Sequence, residues 1–132
     1  MKKIVILFTL ILSITCASQK EESKETNKVE MQKLSEEYSF QIKQVISDSR
    51  CPEGVNCVWA GEVEITLSIF KDNVFYKDET LTINFKNFPE NKSILEKYTS
   101  SKTIKRIEVL PIKKQDVEIK LEDYSLKIEL AN

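Results

Sequence analysis

Alternation of apolar and polar residues constrains the fold of this 132-residue chain more than any other feature. Apolar side chains recur at every second position in five runs, interrupted only at Gln44. The runs are residues 38–46, 63–69, 81–85, 117–121 and 124–130. A period of two with one apolar face is typical of antiparallel strands that are buried on one side. The chain therefore predicts an all-β domain.

Two weaker segments add to this pattern. Residues 104–112 predict a sixth strand, in which Pro111 indicates an edge or a bulge, and residues 74–76 predict a short seventh. Residues 91–98 predict at most a turn or two of helix. Six or seven strands at this spacing favour an Ig-like antiparallel β-sandwich, with a small β-barrel as the alternative. We expect runs 117–121 and 124–130 to pair as a hairpin, because their apolar residues would then share one face.

The N-terminus, MKKIVILFTLILSITC, predicts export. Lys2 and Lys3 precede an apolar run that is shorter than the about 20 residues a spanning helix needs, which is typical of a secretory signal. Residues 13–16 resemble the lipobox of bacterial lipoproteins, although Ser13 stands where Leu is usual. The resemblance implies that Cys16 is lipidated and anchors the chain to a membrane. The alternative is ordinary cleavage nearby, which would remove Cys16 or leave it as a free thiol.

The residues after Cys16 are charged and almost free of apolar side chains, so we predict a disordered tether. The chain then divides into a signal peptide (1–15), a lipidated cysteine with its tether (16–35) and a single β domain (36–132). Residues 19–22 resemble the lysine-plus-acidic export signal of surface lipoproteins in the Bacteroidota; a plain charged linker is the alternative. We expect the protein in the cell envelope, lipid-anchored to the outer membrane and facing either the periplasm or the cell surface.

The stretch DSRCPEGVNCVWAGE, residues 48–62, is the most distinctive part of the chain. Lipidation of Cys16 would leave Cys51 and Cys57 as an even pair, and exported proteins permit disulfides. A structural disulfide, with turn residues inside its ring, would contribute roughly 2.4 kcal/mol. A redox dithiol is disfavoured by the five intervening residues. A metal site is disfavoured because the chain has no His, and two cysteine thiolates supply only half of the four ligands of a tetrahedral zinc site. A disulfide-held loop presented to a partner stays compatible with the structural disulfide.

Parity suggests how Trp59 is oriented. Cys57, Trp59 and Val63 are all odd positions, so a strand that runs straight through Gly61 would pack Trp59 in the core. A bulge at Gly61 would instead turn Trp59 outward.

For the residues before the first cysteine of this stretch, we expect a local turn in which Asp48 accepts backbone hydrogen bonds. Arg50 would then pair locally or stack on Trp59. The functional alternative is that Asp48, Arg50 and Trp59 form the rim of a binding site. Residues 48–61 resemble a motif in small exported proteins and lipoproteins of the Bacteroidota, mostly of unassigned function. That resemblance implies a family but no activity.

Composition disfavours several function classes. Without His the chain has no Ser-His-Asp or Cys-His arrangement, and it has no Gly-rich phosphate loop or metal-ligand motif. Losing Lys2 and Lys3 leaves a net charge of about −3, so nucleic acid is not an expected partner. We expect no cofactor and no enzyme activity. The chain reads as a lipid-anchored binding or structural module whose partners are the membrane and another envelope protein. The alternative is a small envelope enzyme, or an inhibitor that presents loop 51–57.

The anchor can be tested directly. Cys16→Ser should release the protein from membranes, because it removes the atom that carries the lipid. Membrane fractionation of cells that express each form measures this. A Cys16→Ser protein that still sediments with membranes in high salt would contradict lipid anchoring.

Overall fold

The computed structural model describes residues 31–131. The signal peptide, Cys16 and residues 19–22 lie outside the described residues, so the predictions made on them stay predictions.

Residues 31–131 contain six strands, one α-helix and one short 3₁₀ helix (Leu121–Asp123). In chain order the other elements are β1 (Gln32–Lys33), β2 (Tyr38–Asp48), β3 (Val63–Lys71), β4 (Val74–Ile83), α1 (Phe88–Glu96), β5 (Ile104–Leu110) and β6 (Ser125–Leu130). The first four strands form one antiparallel sheet in chain order, and β5 pairs with β6 in a second sheet. The predicted all-β sandwich-like fold is confirmed, and no barrel closes among residues 31–131.

Strand β3 is the centre of the core. It is paired on both edges, and Val63, Ile65, Leu67 and Ile69 are all completely buried. They join one cluster with Ile107 and Leu126 of the second sheet and with Leu95 of α1. The intervening residues of β3 are partly exposed, as the alternation predicted.

Strand β2 follows its predicted alternation only over its first half. Phe40 and Ile42 are buried, but register shifts follow at Ile42/Gln44 and again at Val45/Ser47. Each irregularity changes the face of the sheet to which the following side chains point. As a result Val45 packs against the core, and Ile46, predicted to face inward, is 47% exposed.

Strand β4 unites two predicted strands into one. It follows a tight turn at Asp72 and Asn73, both of which have positive φ (49° and 64°), as hairpin turns of the primed type require. It ends at Ile83, so Phe85 lies beyond the strand and is exposed rather than buried. Helix α1 follows, with Pro89 in its first turn, where a missing N–H costs nothing.

The predicted C-terminal hairpin is wrong. Residues 117–121 form no strand, and β6 pairs with β5, with Ile107 opposite Ile128 and Val109 opposite Leu126. Glu122 and Asp123 lack the glycine or asparagine of a tight primed turn, and they lie in the 3₁₀ helix instead. The β5 partner gives Leu126 an apolar neighbour that is itself buried.

The N-terminal boundary of the domain lies a few residues earlier than residue 36. Strand β1 pairs with β2, with Gln32 opposite Phe40, and Leu34 is buried. Residues 32–34, which the sequence analysis placed in the tether, are therefore part of the described fold.

Two leucines from the predicted hairpin test this pairing. Leu126→Ala should lower the free energy of unfolding by about 3 kcal/mol, because it opens a cavity between the sheets. Leu121→Ala, at a position that is 39% exposed, should cost less than about 1 kcal/mol. Urea unfolding followed by circular dichroism measures both. Equal losses would contradict the observed pairing.

Candidate functional site

The loop that joins β2 to β3, residues 49–62, is the candidate site. The ladder between these strands continues into it, because Ser49 N donates to Glu62 O (2.8 Å) and Cys51 N donates to Ala60 O (2.9 Å). Beyond this point Cys51 and Cys57 form the predicted disulfide, with their Cα atoms 6.0 Å apart. Both sulfurs are therefore engaged in a covalent staple that closes the outer part of the loop.

Gly61 sets the direction in which the loop enters β3. Its φ is +72°, and a Cβ at this position would lie 1.9 Å from the carbonyl oxygen of Ser49. Only glycine fits such a close approach of two backbones. This conformation breaks the parity on which the core prediction for Trp59 depended. That prediction is wrong: Trp59 is 63% exposed.

A second set of contacts, which we call the brace, holds the base of the loop. The Arg50 guanidinium binds the Asp48 carboxylate in a bidentate manner, with Nε 2.9 Å from Oδ1 and Nη2 2.7 Å from Oδ2. Arg50 Nη1 also donates to the carbonyl oxygen of Val109 in β5 (2.6 Å), and Tyr124 Oη donates to Asp48 Oδ2 (2.9 Å). The two charged side chains are only 18% and 9% exposed. The brace thus ties the end of β2 to the second sheet.

The turn predicted at residues 48–50 is present. Asp48 Oδ1 accepts a hydrogen bond from Arg50 N (3.1 Å), and Arg50 pairs with Asp48. The guanidinium lies 6.0 Å from the ring centroid of Tyr124, whereas Trp59 faces solvent. The aromatic partner of Arg50 is therefore a residue far along the chain.

The contacts of the brace shift the pKa values of Asp48 and Tyr124 in opposite directions. Burial raises the pKa of Asp48, but hydrogen bonds from Arg50 and Tyr124 outweigh burial and hold that pKa below its ordinary value. Burial and the hydrogen bond to Asp48 raise the pKa of Tyr124 to about 12. These shifts stabilise the ionised carboxylate of Asp48 and the protonated hydroxyl of Tyr124.

The segment after β5 supports the loop from the other side. Lys113 Nζ donates to the carbonyl oxygen of Asp48 (2.6 Å), and Glu53 N donates to the carbonyl oxygen of Lys113 (2.8 Å). The loop is thus fixed by its own ladder, by the disulfide, by the brace and by this segment. Few conformations remain for it to lose on binding.

The loop and the segment after β4 together form an exposed groove of about 440 Å³, which we call the Trp59 groove. Its lining residues are Val58, Trp59, Ala60, Gly61, Glu62, Asn84, Phe85 and Lys86. Val58 is fully exposed and Phe85 is 76% exposed. Asn84 Nδ2 donates to Glu62 Oε2 (2.9 Å), which joins the two sides of the groove.

The three residues of the predicted binding rim fall into two different features. Asp48 and Arg50 belong to the partly buried brace, whereas Trp59 lines the exposed groove. Val58 was not singled out from the sequence, and Phe85 was assigned to the core face of a strand. The sequence signal that could have found Phe85 is Asn84: its Oδ1 accepts hydrogen bonds from Lys86 N and Asn87 N (both 2.8 Å), an Asx-type turn that ends the strand.

Comparison with protein-family models, with curated proteins and with solved structures finds no match to this chain. In residues 31–131, no three side chains of His, Cys, Asp or Glu are grouped so as to hold a metal ion. Over the same range, no helix has the length and apolar character needed to cross a bilayer.

The brace predicts a pH-dependent stability. Asp48→Asn should lower the free energy of unfolding at neutral pH by about 2 kcal/mol, the scale of hydrogen bonds to a charged group. The folded-state pKa of Asp48 is lowered, so its contribution is complete above the ordinary value of 3.8 and is lost as pH falls through the lower folded-state value. The difference in free energy of unfolding between the wild type and Asp48→Asn should therefore be smaller at acid pH than at neutral pH. Urea unfolding at neutral and acid pH measures it.

Asp78→Asn is the matched control, because Asp78 pairs with Lys43 and Ser68 on the solvent face of the large sheet. The Asp78 side chain is 33% exposed, so Asp78→Asn should lower the free energy of unfolding much less than Asp48→Asn does. A loss in Asp48→Asn that is the same at both pH values would contradict an ionised brace.

Proposed function

We propose that this protein is a lipid-anchored binding module of the cell envelope whose binding surface is the Trp59 groove. The observation that carries the proposal is the exposure of large apolar side chains beside a loop that a disulfide and the brace hold. Val58, Trp59 and Phe85 stand exposed next to one another on two segments joined by the Asn84–Glu62 hydrogen bond. Contiguous exposed apolar surface of this kind marks interaction sites.

The energetics of the groove favour binding. Tryptophan is enriched among the residues that dominate interface affinity, because it buries a large area with few rotatable bonds. The surrounding backbone is already ordered by the disulfide and the brace. A partner therefore gains apolar contact without the entropy cost of ordering the loop.

The polar groups support binding rather than catalysis. The best organised ones, Asp48, Arg50 and Tyr124, bind one another within the fold. The pKa of Asp48 is lowered and that of Tyr124 is raised to about 12, so both shifts lead away from neutral pH. In the groove itself, Glu62 and Asn84 are bonded to each other. We therefore propose a module without enzyme activity.

We favour the groove over ring 51–57 as the binding element. Inside the ring Val55 N donates to Pro52 O (3.1 Å), and Gly54 has a φ of +78°, so the ring curls into a turn. An inhibitor loop that lies along a protease cleft is extended instead. The ring thus serves to hold Val58 and Trp59 in place.

Site-specific photo-crosslinking tests the proposal in cells that make the full-length protein. A benzophenone amino acid at Phe85 should give a defined adduct with an envelope component, whereas the same group at Phe75 should not. Phe75 is a matched control because it is 56% exposed at the opposite end of β4.

A Trp59→Ala change should abolish the adduct at Phe85 while costing less than about 1 kcal/mol of stability, since the side chain is exposed. Absence of any adduct at Phe85, or equal adducts at both positions, would overturn the proposal.

A further inference from the structure

The direction in which the chain enters the domain bears on what the Trp59 groove contacts. Strand β1 is antiparallel to β2, with Gln32 opposite Phe40 and Lys33 opposite Ser39. Going toward the N-terminus, β1 therefore runs along β2 toward Asp48. Loop 49–62 begins at that end of β2, which we call the loop end of the domain. The N-terminal end of β1 thus faces the loop end.

The length of chain before β1 is sufficient to bring the loop end to a membrane. Met31 lies about level with Gln41, roughly 23 Å from Asp48 at ~3.3 Å per residue, and the loop adds on the order of 10 Å. About 15 residues separate Cys16 from Met31, and they can span at most ~50 Å. A lipid on Cys16 and the Trp59 groove can therefore reach the same bilayer face.

The chemistry of the groove suits the boundary between headgroups and acyl chains. Tryptophan combines an apolar ring with one N–H donor and is enriched at that depth. Val58 and Phe85 add apolar surface on either side. Lys86 lies beside them, with its Nζ 5.7 Å from the Phe85 ring, and a lysine can extend its ammonium group to the headgroups.

The opposite end of the domain also exposes apolar side chains, but in a different setting. Val74, Phe75 and Tyr76 are followed directly by Lys77, Asp78 and Glu79 on the same strand. Charges of this kind protect a sheet edge against association. Moreover, this end lies at the β3–β4 turn, away from the direction in which β1 points.

We infer that the Trp59 groove seats in the interface of the bilayer that carries the lipid anchor, so that the membrane itself is its partner. This inference rests on the proposed function, because it names the partner of the same groove. With a net charge of about −3 after the signal peptide, attraction to anionic lipids is not the driving force. The contact is apolar, so zwitterionic lipids suffice and salt has little effect.

Fluorescence gives a direct test, because Trp59 is the only tryptophan in the chain. The lipidated full-length protein is reconstituted into phosphatidylcholine–phosphatidylethanolamine vesicles, with or without lipid brominated in the upper acyl chain. Bromine quenches only tryptophan in contact with it. Emission should be about twofold lower in the brominated vesicles, as expected for a tryptophan at interfacial depth, and high salt should not restore it. Equal emission in both vesicle types, from protein that floats with the vesicles, would overturn the inference.

Two valine variants provide the matched comparison. Val58→Asp places a charge at a fully exposed position of the groove and should remove most of the quenching, while the anchored protein still floats with the vesicles. Val74→Asp, at a position 68% exposed at the opposite end, should leave the quenching unchanged. If the two variants behave alike, the inference is wrong.

Failure of this inference is distinguishable from failure of the proposed function. If Trp59 is not quenched but Phe85 gives a protein adduct, the proposed binding function is retained. The partner of the groove is then a protein and not the bilayer. Protein that does not float with vesicles at all would overturn the lipid anchor and the bilayer contact together.

Discussion

The ion pair between Asp48 and Arg50 is the interaction on which the rest of this structure depends. Charges that are mostly withdrawn from water are stable only when their hydrogen bonds are complete, and removing one partner leaves the other unpaired. Here the remaining groups are supplied by Val109 and Tyr124, which belong to or adjoin the two strands of the second sheet. One guanidinium therefore positions both the base of the disulfide loop and the sheet that packs across β3. The stiffness of the loop and the docking of the two sheets have the same origin.

The features that are local in sequence could be predicted. The alternation in β3, the first half of β2 and β6 follows from a period that each segment carries itself, and the Cys51–Cys57 disulfide follows from a predicted export signal and from the turn residues between the two cysteines. The prediction of the C-terminal hairpin was wrong because it required choosing which strand pairs with β6. The apolar alternation of β6 is compatible with pairing to residues 117–121 and with pairing to β5. The alternation in these two segments does not specify which of them is the partner of β6.

The site was harder to predict than the fold, for related reasons. The outward direction of Trp59 depends on a single backbone angle at Gly61, which the parity of the side chains does not encode. The partners of Arg50 include groups 59 residues away, so its role in joining the sheets is invisible in the motif that contains it. The Trp59 groove combines a loop with a segment more than twenty residues further on, and neither is apolar enough alone to indicate a surface.

The sequence distances spanned by the brace determine when during synthesis the groove can exist. Within the brace, the bonds to Arg50 and Asp48 come from residues 59 and 76 positions later, and Tyr124 lies just before the last strand. The supporting bond from Lys113 to Asp48 spans 65 positions. Contacts this far apart form only after most of the chain has been made and the long loops between them have closed. A chain truncated before Val109 lacks all of these contacts to the base of loop 49–62. Formation of the braced loop beside the Trp59 groove is thereby coupled to completion of the whole domain.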